Sequence, residues 1–156
     1  MSLTIHTDVG DIKVELFCDE APDACKNFLA LCASGFYNGL AFHRIIPGFL
    51  IQTGDNSKTG IGGRSALGES VEVQPTAKFN EPGVLGYAEK ESVRSQFFIT
   101  VSPQPQLNGE YCGFGHVIFG LNNVESINRI PTLEDFYPIK PVRIKSITIH
   151  ANPFAK

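Results

Sequence analysis

A mainly β domain, a barrel or a sandwich, is predicted by three observations. Short strand-like runs recur along the chain, only two stretches carry helical periodicity, and 15 glycines and 10 prolines punctuate the 156 residues. Few of the runs are joined through a helix, so parallel βαβ units are scarce.

The elements follow in order. Leu3-Thr4-Ile5-His6-Thr7 and Ile12-Lys13-Val14-Glu15-Leu16 alternate around Val9-Gly10-Asp11 and read as a β-hairpin. Asp19 is a candidate helix N-cap, with Pro22 close behind. Ala24, Phe28, Leu31 and Cys32 form an apolar helical stripe, and Gly35 is placed to stop it. Two strand-like pieces, Phe42 to Ile46 and Phe49 to Gln52, flank a Pro-Gly turn. A polar, Gly-rich stretch from Asp55 to about Lys78 reads as irregular. Gly83 to Ala88, Gln96 to Val101 and Gly113 to Phe119 read as strands. Leu121, Val124, Ile127 and Ile130 mark a second helix ended by Pro131, and Arg143 to His150 alternates as a last strand. A single domain over 1–156 is expected, long enough for a proper core.

Bulk properties narrow the function classes. A net charge of −3 argues against broad electrostatic binding to nucleic acid. No apolar stretch approaches the roughly 20 residues of a membrane helix, and the polar start (Asp8, Asp11, Lys13) is unlike a secretory signal. Cys18, Cys25, Cys32 and Cys112 form no Cys-x-x-Cys pair and read as small buried hydrophobes in a reducing compartment. The four histidines are dispersed, so no metal site is expected. Gly60-Ile61-Gly62-Gly63 lacks the last glycine of a dinucleotide loop. Cys112 to Phe119 imitates an RNA-recognition pattern, without its leading basic residue and with His116 in place of a stacking aromatic.

The segment from Phe42 to Asp55 is the most informative. An arginine and a glutamine interrupt a run that is otherwise almost wholly apolar. Side chains alternate along strands, so Phe42 is expected to share a face with Arg44, and Leu50 with Gln52. A guanidinium on an apolar sheet is costly unless it has a partner or a task. The combination suggests a shallow apolar site beside a fixed cation and an amide. His43 is expected on the opposite face from Arg44, buried and hydrogen-bonded.

The run Phe42-His43-Arg44-Ile45-Ile46-Pro47-Gly48-Phe49-Leu50-Ile51-Gln52-Thr53-Gly54-Asp55 resembles the signature of the cyclophilins, the peptidyl-prolyl cis/trans isomerases. Ser95-Gln96-Phe97-Phe98-Ile99 is similar to the family's second signature, and Phe114-Gly115-His116-Val117 to its third, with histidine replacing lysine. The three lie in family order, and both chain ends look most like the small, single-domain cyclophilin J type. The resemblance implies a closed eight-stranded antiparallel β-barrel capped by two α-helices. It implies isomerisation of X-Pro bonds without a cofactor, in folding or remodelling of proline-containing polypeptides.

It also implies roles. Arg44 matches the catalytic arginine; Phe49, Leu50, Phe98 and Leu107 match the proline pocket. Gln52 and Gln96 match positions holding the substrate backbone and the arginine. Gly60 matches a glycine at the site's edge, and Ala88 a residue beside the peptide. Three departures stand out. Gln106 occupies the place of a cyclosporin-contacting tryptophan, so weak cyclosporin binding is expected. Tyr111 replaces a histidine. Residues 89–94 form a loop two residues shorter than usual. These departures keep a second reading open: a weakly active or inactive cyclophilin-fold module that grips proline peptides in a splicing complex, with spliceosomal partners. A monomer, located in cytoplasm, nucleus or both, is expected under either reading.

Overall fold

The computed structural model describes residues 1–57, 62–66, 68 and 70–150. The first hairpin pairs Ser2–Thr7 (β1) with Gly10–Leu16 (β2) in antiparallel register. The first helix, Pro22–Ala33 (α1), starts later than expected. Asp19 is not its cap. Ala21 occupies that position without a side-chain hydrogen bond, and its N–H donates to the Phe17 carbonyl at 2.9 Å. Pro22 at the first helical position removes a donor that would have had no partner. Gly35 ends the helix as expected, with φ +77°. Its N–H donates to the Cys32 carbonyl, and that of Phe36 to Leu31, which is a Schellman closure.

The remaining elements are Arg44–Ile46 (β3), Leu50–Thr53 (β4), Val71–Glu72 (β5), Val84–Tyr87 (β6), Ser92–Val93 (β7), Phe97–Thr100 (β8), Gly113–Phe119 (β9), Leu121–Asn128 (α2) and Ile144–Ile149 (β10). A 3₁₀ turn at Pro105–Leu107 and the small β5–β7 pair were not foreseen. Eight strands make one antiparallel sheet in the order β10-β1-β2-β9-β6-β8-β4-β3. The expected closure is met in part. Among the described residues no strand ladder joins the edges, but Ala41 and Arg143 form an isolated bridge there. Phe42 N–H also donates to the Val142 carbonyl, and Gly39 N–H to that of Ile144.

Both helices bury into one core. Phe28 of α1 packs against Phe97 and Phe114 with ring centroids 5.1 and 4.9 Å apart. Val124 and Ile127 of α2 join the same apolar cluster. Phe114 of the RNA-like pattern is fully buried, so it presents no ring for base stacking. Cys25, Cys32 and Cys112 are buried as expected, and Cys18 is half-buried; all four are free thiols. Burial pushes the Cys112 thiol up to about 11.

Four strands expose apolar side chains on both faces. Ile45, Ile51, Ile99 and Leu85 lie opposite one another across β3, β4, β8 and β6 and enter the main core. Leu50, Phe98 and Val84 point the other way and join Phe79 and Leu107 in a second, smaller cluster. Asn128, at the end of α2, clamps the β3–β4 turn beneath that cluster. Its carbonyl accepts from Gly48 N–H at 2.9 Å, and its amide donates to the carbonyls of Ile46 (2.9 Å) and Leu50 (3.1 Å). Gly48 itself sits at φ +74°, which glycine adopts without strain. Replacing Asn128 by alanine removes three bonds and strands buried backbone groups. Urea unfolding should show a loss of about 2 kcal/mol or more; a loss of a few tenths, typical of surface changes, would show that the turn holds without the clamp.

Candidate active site

The second apolar cluster forms the floor of a slot of about 220 Å³. It is lined by Arg44, Phe49, Leu50, Gln52, Ala88, Phe98, Leu107 and Tyr111, all expected from the sequence, together with Ile46, which was not. The register explains the grouping. Arg44 lies opposite Gln52, Gln52 opposite Phe98, and Phe98 opposite Gly86. One transverse row across four strands thus runs cation, amide, aromatic ring, bare backbone. Gly86 is bare for a reason: a Cβ there would lie 2.6 Å from the Phe98 ring and 2.9 Å from that of Phe79. Phe98 therefore lies over the sheet, with Phe79 behind it (centroids 5.6 Å apart) and Tyr111 edge-on at its side (5.9 Å). Phe79 supports the slot, and nothing in the sequence separated it from ordinary core.

The polar wall differs from expectation in detail. Gln52 donates its amide to the Gln96 carbonyl oxygen at 2.9 Å, and Gln96 donates to the Gly62 carbonyl at 2.7 Å. Neither glutamine bonds to Arg44. The arginine is exposed and, among the described residues, has no ion pair or hydrogen bond. Gln96 thus lies behind the slot wall, orienting Gln52. Gln106 precedes Leu107 in the 3₁₀ turn, but its side chain is exposed and donates to the Gln104 carbonyl oxygen at 2.6 Å. It does not line the slot. Gly60 lies outside the described residues.

Two expectations about neighbours of Arg44 fail. Phe42 precedes β3, so strand alternation does not govern it, and it is fully buried in the main core. For the same reason His43 is not turned away. His43 and Arg44 line one cavity together, and it shares Arg44 and Gln52 with the slot. Both ring nitrogens of His43 are buried without a hydrogen-bond partner among the described residues. Gln96 is a polar neighbour, but its approach falls outside hydrogen-bond geometry. Burial lowers the His43 pKa below the ordinary histidine value, with nearby Asp55 opposing the shift.

The short loop at 89–94 is held in place. Glu89 accepts from the Arg94 backbone N–H at 3.1 Å and pairs with its guanidinium at 3.3 Å. The Asn27 amide donates to the Arg94 carbonyl at 2.8 Å. At the slot rim Lys90 pairs with Glu110 at 3.0 Å and lies over the Tyr111 ring, 5.5 Å from its centroid. No three His, Cys, Asp or Glu side chains gather as a metal-binding group among the described residues. Nor is any described helix long and apolar enough to cross a membrane.

The slot thus combines an apolar floor with a guanidinium on its wall. The comparisons place the chain in a family. Residues 2–149 match the family model described as cyclophilin type peptidyl-prolyl cis-trans isomerase/CLD. The human protein named peptidyl-prolyl cis-trans isomerase-like 3 is 50% identical over 161 residues, covering 100% of each chain. Peptidyl-prolyl cis-trans isomerase 10 of Caenorhabditis elegans is 46% identical over 159 residues, covering 99% of each. A cyclophilin-type isomerase of Cryptosporidium parvum, crystallised in the presence of the dipeptide Ala-Pro, superposes with a TM-score of 0.92 at 44% identity. It covers 97% of this chain and 100% of its own. The chain belongs to the cyclophilin family of peptidyl-prolyl cis-trans isomerases.

Proposed function

We propose that the slot is the catalytic site, with the substrate proline on Leu50, Phe98 and Leu107 and the Arg44 guanidinium directed at the prolyl nitrogen. The carrying observation is the position of Arg44: a cation unpaired among the described residues, on the wall of an apolar slot and opposite Gln52 in register. Partial double-bond character sets the barrier to X-Pro rotation at about 18–20 kcal/mol. In the twisted transition state the nitrogen becomes pyramidal and regains a lone pair. A donor already aimed at it binds that state better than the planar amide. Arginine suits the task, because its charge is permanent and its fork is rigid. Gln52, oriented by Gln96, is placed to hold the substrate backbone. We further read the bridge between Ala41 and Arg143 as the seam that closes the sheet into a barrel.

A binding-module reading draws on the Lys90–Glu110 pair at the slot rim, which would narrow entry. One experiment separates the two. NMR exchange on an Ala-Pro-Phe type peptide should show activity in the wild type and a loss of about a hundredfold or more in Arg44→Ala, as for removal of one preorganised donor. Equal exchange in two equally folded proteins would overturn the mechanism.

Proton transfer has no part in this chemistry. Activity should therefore be nearly flat from about pH 6 to 8, and a bell centred near the ordinary histidine pKa of about 6.5 would contradict the mechanism. Stability should behave differently. His43 is disfavoured as a cation in the fold, so the unfolded chain takes up its proton first. The stability associated with neutral His43 is complete above about pH 6.5 and is lost as pH falls below it. His43→Gln should flatten that acid-side loss in thermal unfolding.

Cyclosporin should bind weakly. Gln106 is exposed and its amide is engaged with Gln104, so it offers neither an aromatic face nor a free donor. Losing one anchor of that kind removes about 2 kcal/mol, or roughly thirtyfold in affinity. Calorimetric titration of Gln106→Trp should recover most of it. If it recovers none, the limit lies in the short loop at 89–94.

A further inference from the structure

A second cavity lined by Arg44 is larger than the slot, about 460 Å³ against 220 Å³, and the proline mechanism does not use it. Arg44 and Gln52 line both spaces, so the two share one wall. Asp135 and Tyr137 of the loop 131–140 and Arg143 also line it. That loop is tied to the arginine's own strand, because the Phe136 carbonyl accepts from Ile45 N–H at 2.9 Å. Phe136 holds φ +65°, an uncommon conformation for a bulky residue.

Donors and acceptors in this cavity are unequally occupied. The Asp55 carboxylate accepts from the Ser57 N–H at 2.8 Å and from its hydroxyl at 2.7 Å. The Asp135 carboxylate accepts from Tyr137 N–H at 3.1 Å. The guanidinia are less engaged. Arg143 donates one terminal nitrogen to the Gly39 carbonyl at 3.0 Å, and Arg44 has no partner among the described residues. The acidic groups thus face their own loops while two arginine forks retain N–H groups to give. A guanidinium fork matches a carboxylate in shape and charge.

We propose that this cavity is a second substrate subsite, which takes an aspartate or glutamate side chain of the polypeptide whose proline sits in the slot. The inference rests on the slot reading above. The two spaces adjoin at the residues they share, Arg44 and Gln52, and an extended chain advances about 3.3–3.6 Å per residue. The acidic residue is therefore two or three positions from the proline. Arg44 and Arg143 would hold its carboxylate, with Asp135 opposing.

The test uses NMR exchange on a set of proline peptides carrying Glu or Gln two or three residues from the proline, on either side. At one position the Glu peptide should be turned over roughly threefold more efficiently than its Gln counterpart, as for an accessible ion pair. The ratio should fall toward one at high salt. Arg143→Gln should abolish the preference, and Asp135→Asn should enlarge it. Arg143 also lies at the sheet seam; if Arg143→Gln fails to fold, Asp135→Asn decides by its opposite sign. A Glu to Gln ratio of one at every position, with Arg44-dependent exchange of the reference Ala-Pro peptide intact, would overturn this subsite alone. Absence of Arg44-dependent exchange on the reference peptide would overturn the slot reading and this inference with it.

Discussion

A strand side chain belongs to one face only, and across β3, β4, β8 and β6 both faces carry apolar side chains. This constraint shapes the molecule. The inner face closes the main core, and the outer face would be left as exposed hydrocarbon without cover. Phe79, Leu107 and Tyr111 supply the cover from outside the sheet, and they leave a gap. The slot is that gap. Its floor is fixed by the packing that fixes the core, because Phe98 and Ile99 are neighbours on β8 that point in opposite directions. A catalyst that acts by shape and one donor gains from a floor that cannot shift without disturbing the fold.

Much of the site was legible in the sequence because it lies on strands, where alternation converts order into geometry. That Leu50 shares a face with Gln52 follows from period two; that Phe98 lies opposite Gln52 is set by strand pairing, which alternation alone does not give. The reading failed where the ladder stops. Phe42 and His43 lie before β3, so alternation extrapolated through them gave the wrong faces. Asp19 looked like a cap, but the chain makes a backbone turn first and Pro22 takes the start of the helix. Phe79 and Asn128 left no trace in the pattern. One is an aromatic in an irregular stretch, the other a polar residue at a helix end, and both matter through contacts with distant segments. Gln106 sits one residue from a slot residue and still points away, because a 3₁₀ turn aims successive side chains in different directions.

The polar side of the site is arranged so that the arginine is not used up. Gln96 could have bonded to Arg44, as the resemblance implied, but its two polar ends go to Gln52 and to the Gly62 carbonyl. Gln52 is thereby oriented by a neutral partner. A carboxylate in the same place would neutralise the guanidinium and draw it from the slot. Asp55, which lines a cavity with Arg44, accepts from Ser57. The wall thus holds a positive charge by keeping its acceptors engaged elsewhere.

An exposed guanidinium without a partner among the described residues costs little while water solvates it, so the free protein does not strain to keep Arg44 ready. Under the proposed mechanism the value of the charge would change on binding. A proline ring and its flanking residues would displace water from the slot, and at lower effective dielectric the same donor would interact several times more strongly with a developing lone pair. Residues beyond the proline would then contribute in two ways. They would exclude water from the cavity that shares Arg44, and any acceptor they carry would compete for its hydrogens. A carboxylate held mainly by Arg143 would steady the Arg44 fork without taking it over, whereas one held by Arg44 alone would pull it from the nitrogen. The presence of Arg143 in the cavity lining, with a terminal nitrogen that has no partner among the described residues beside the one bound to Gly39, favours the first arrangement.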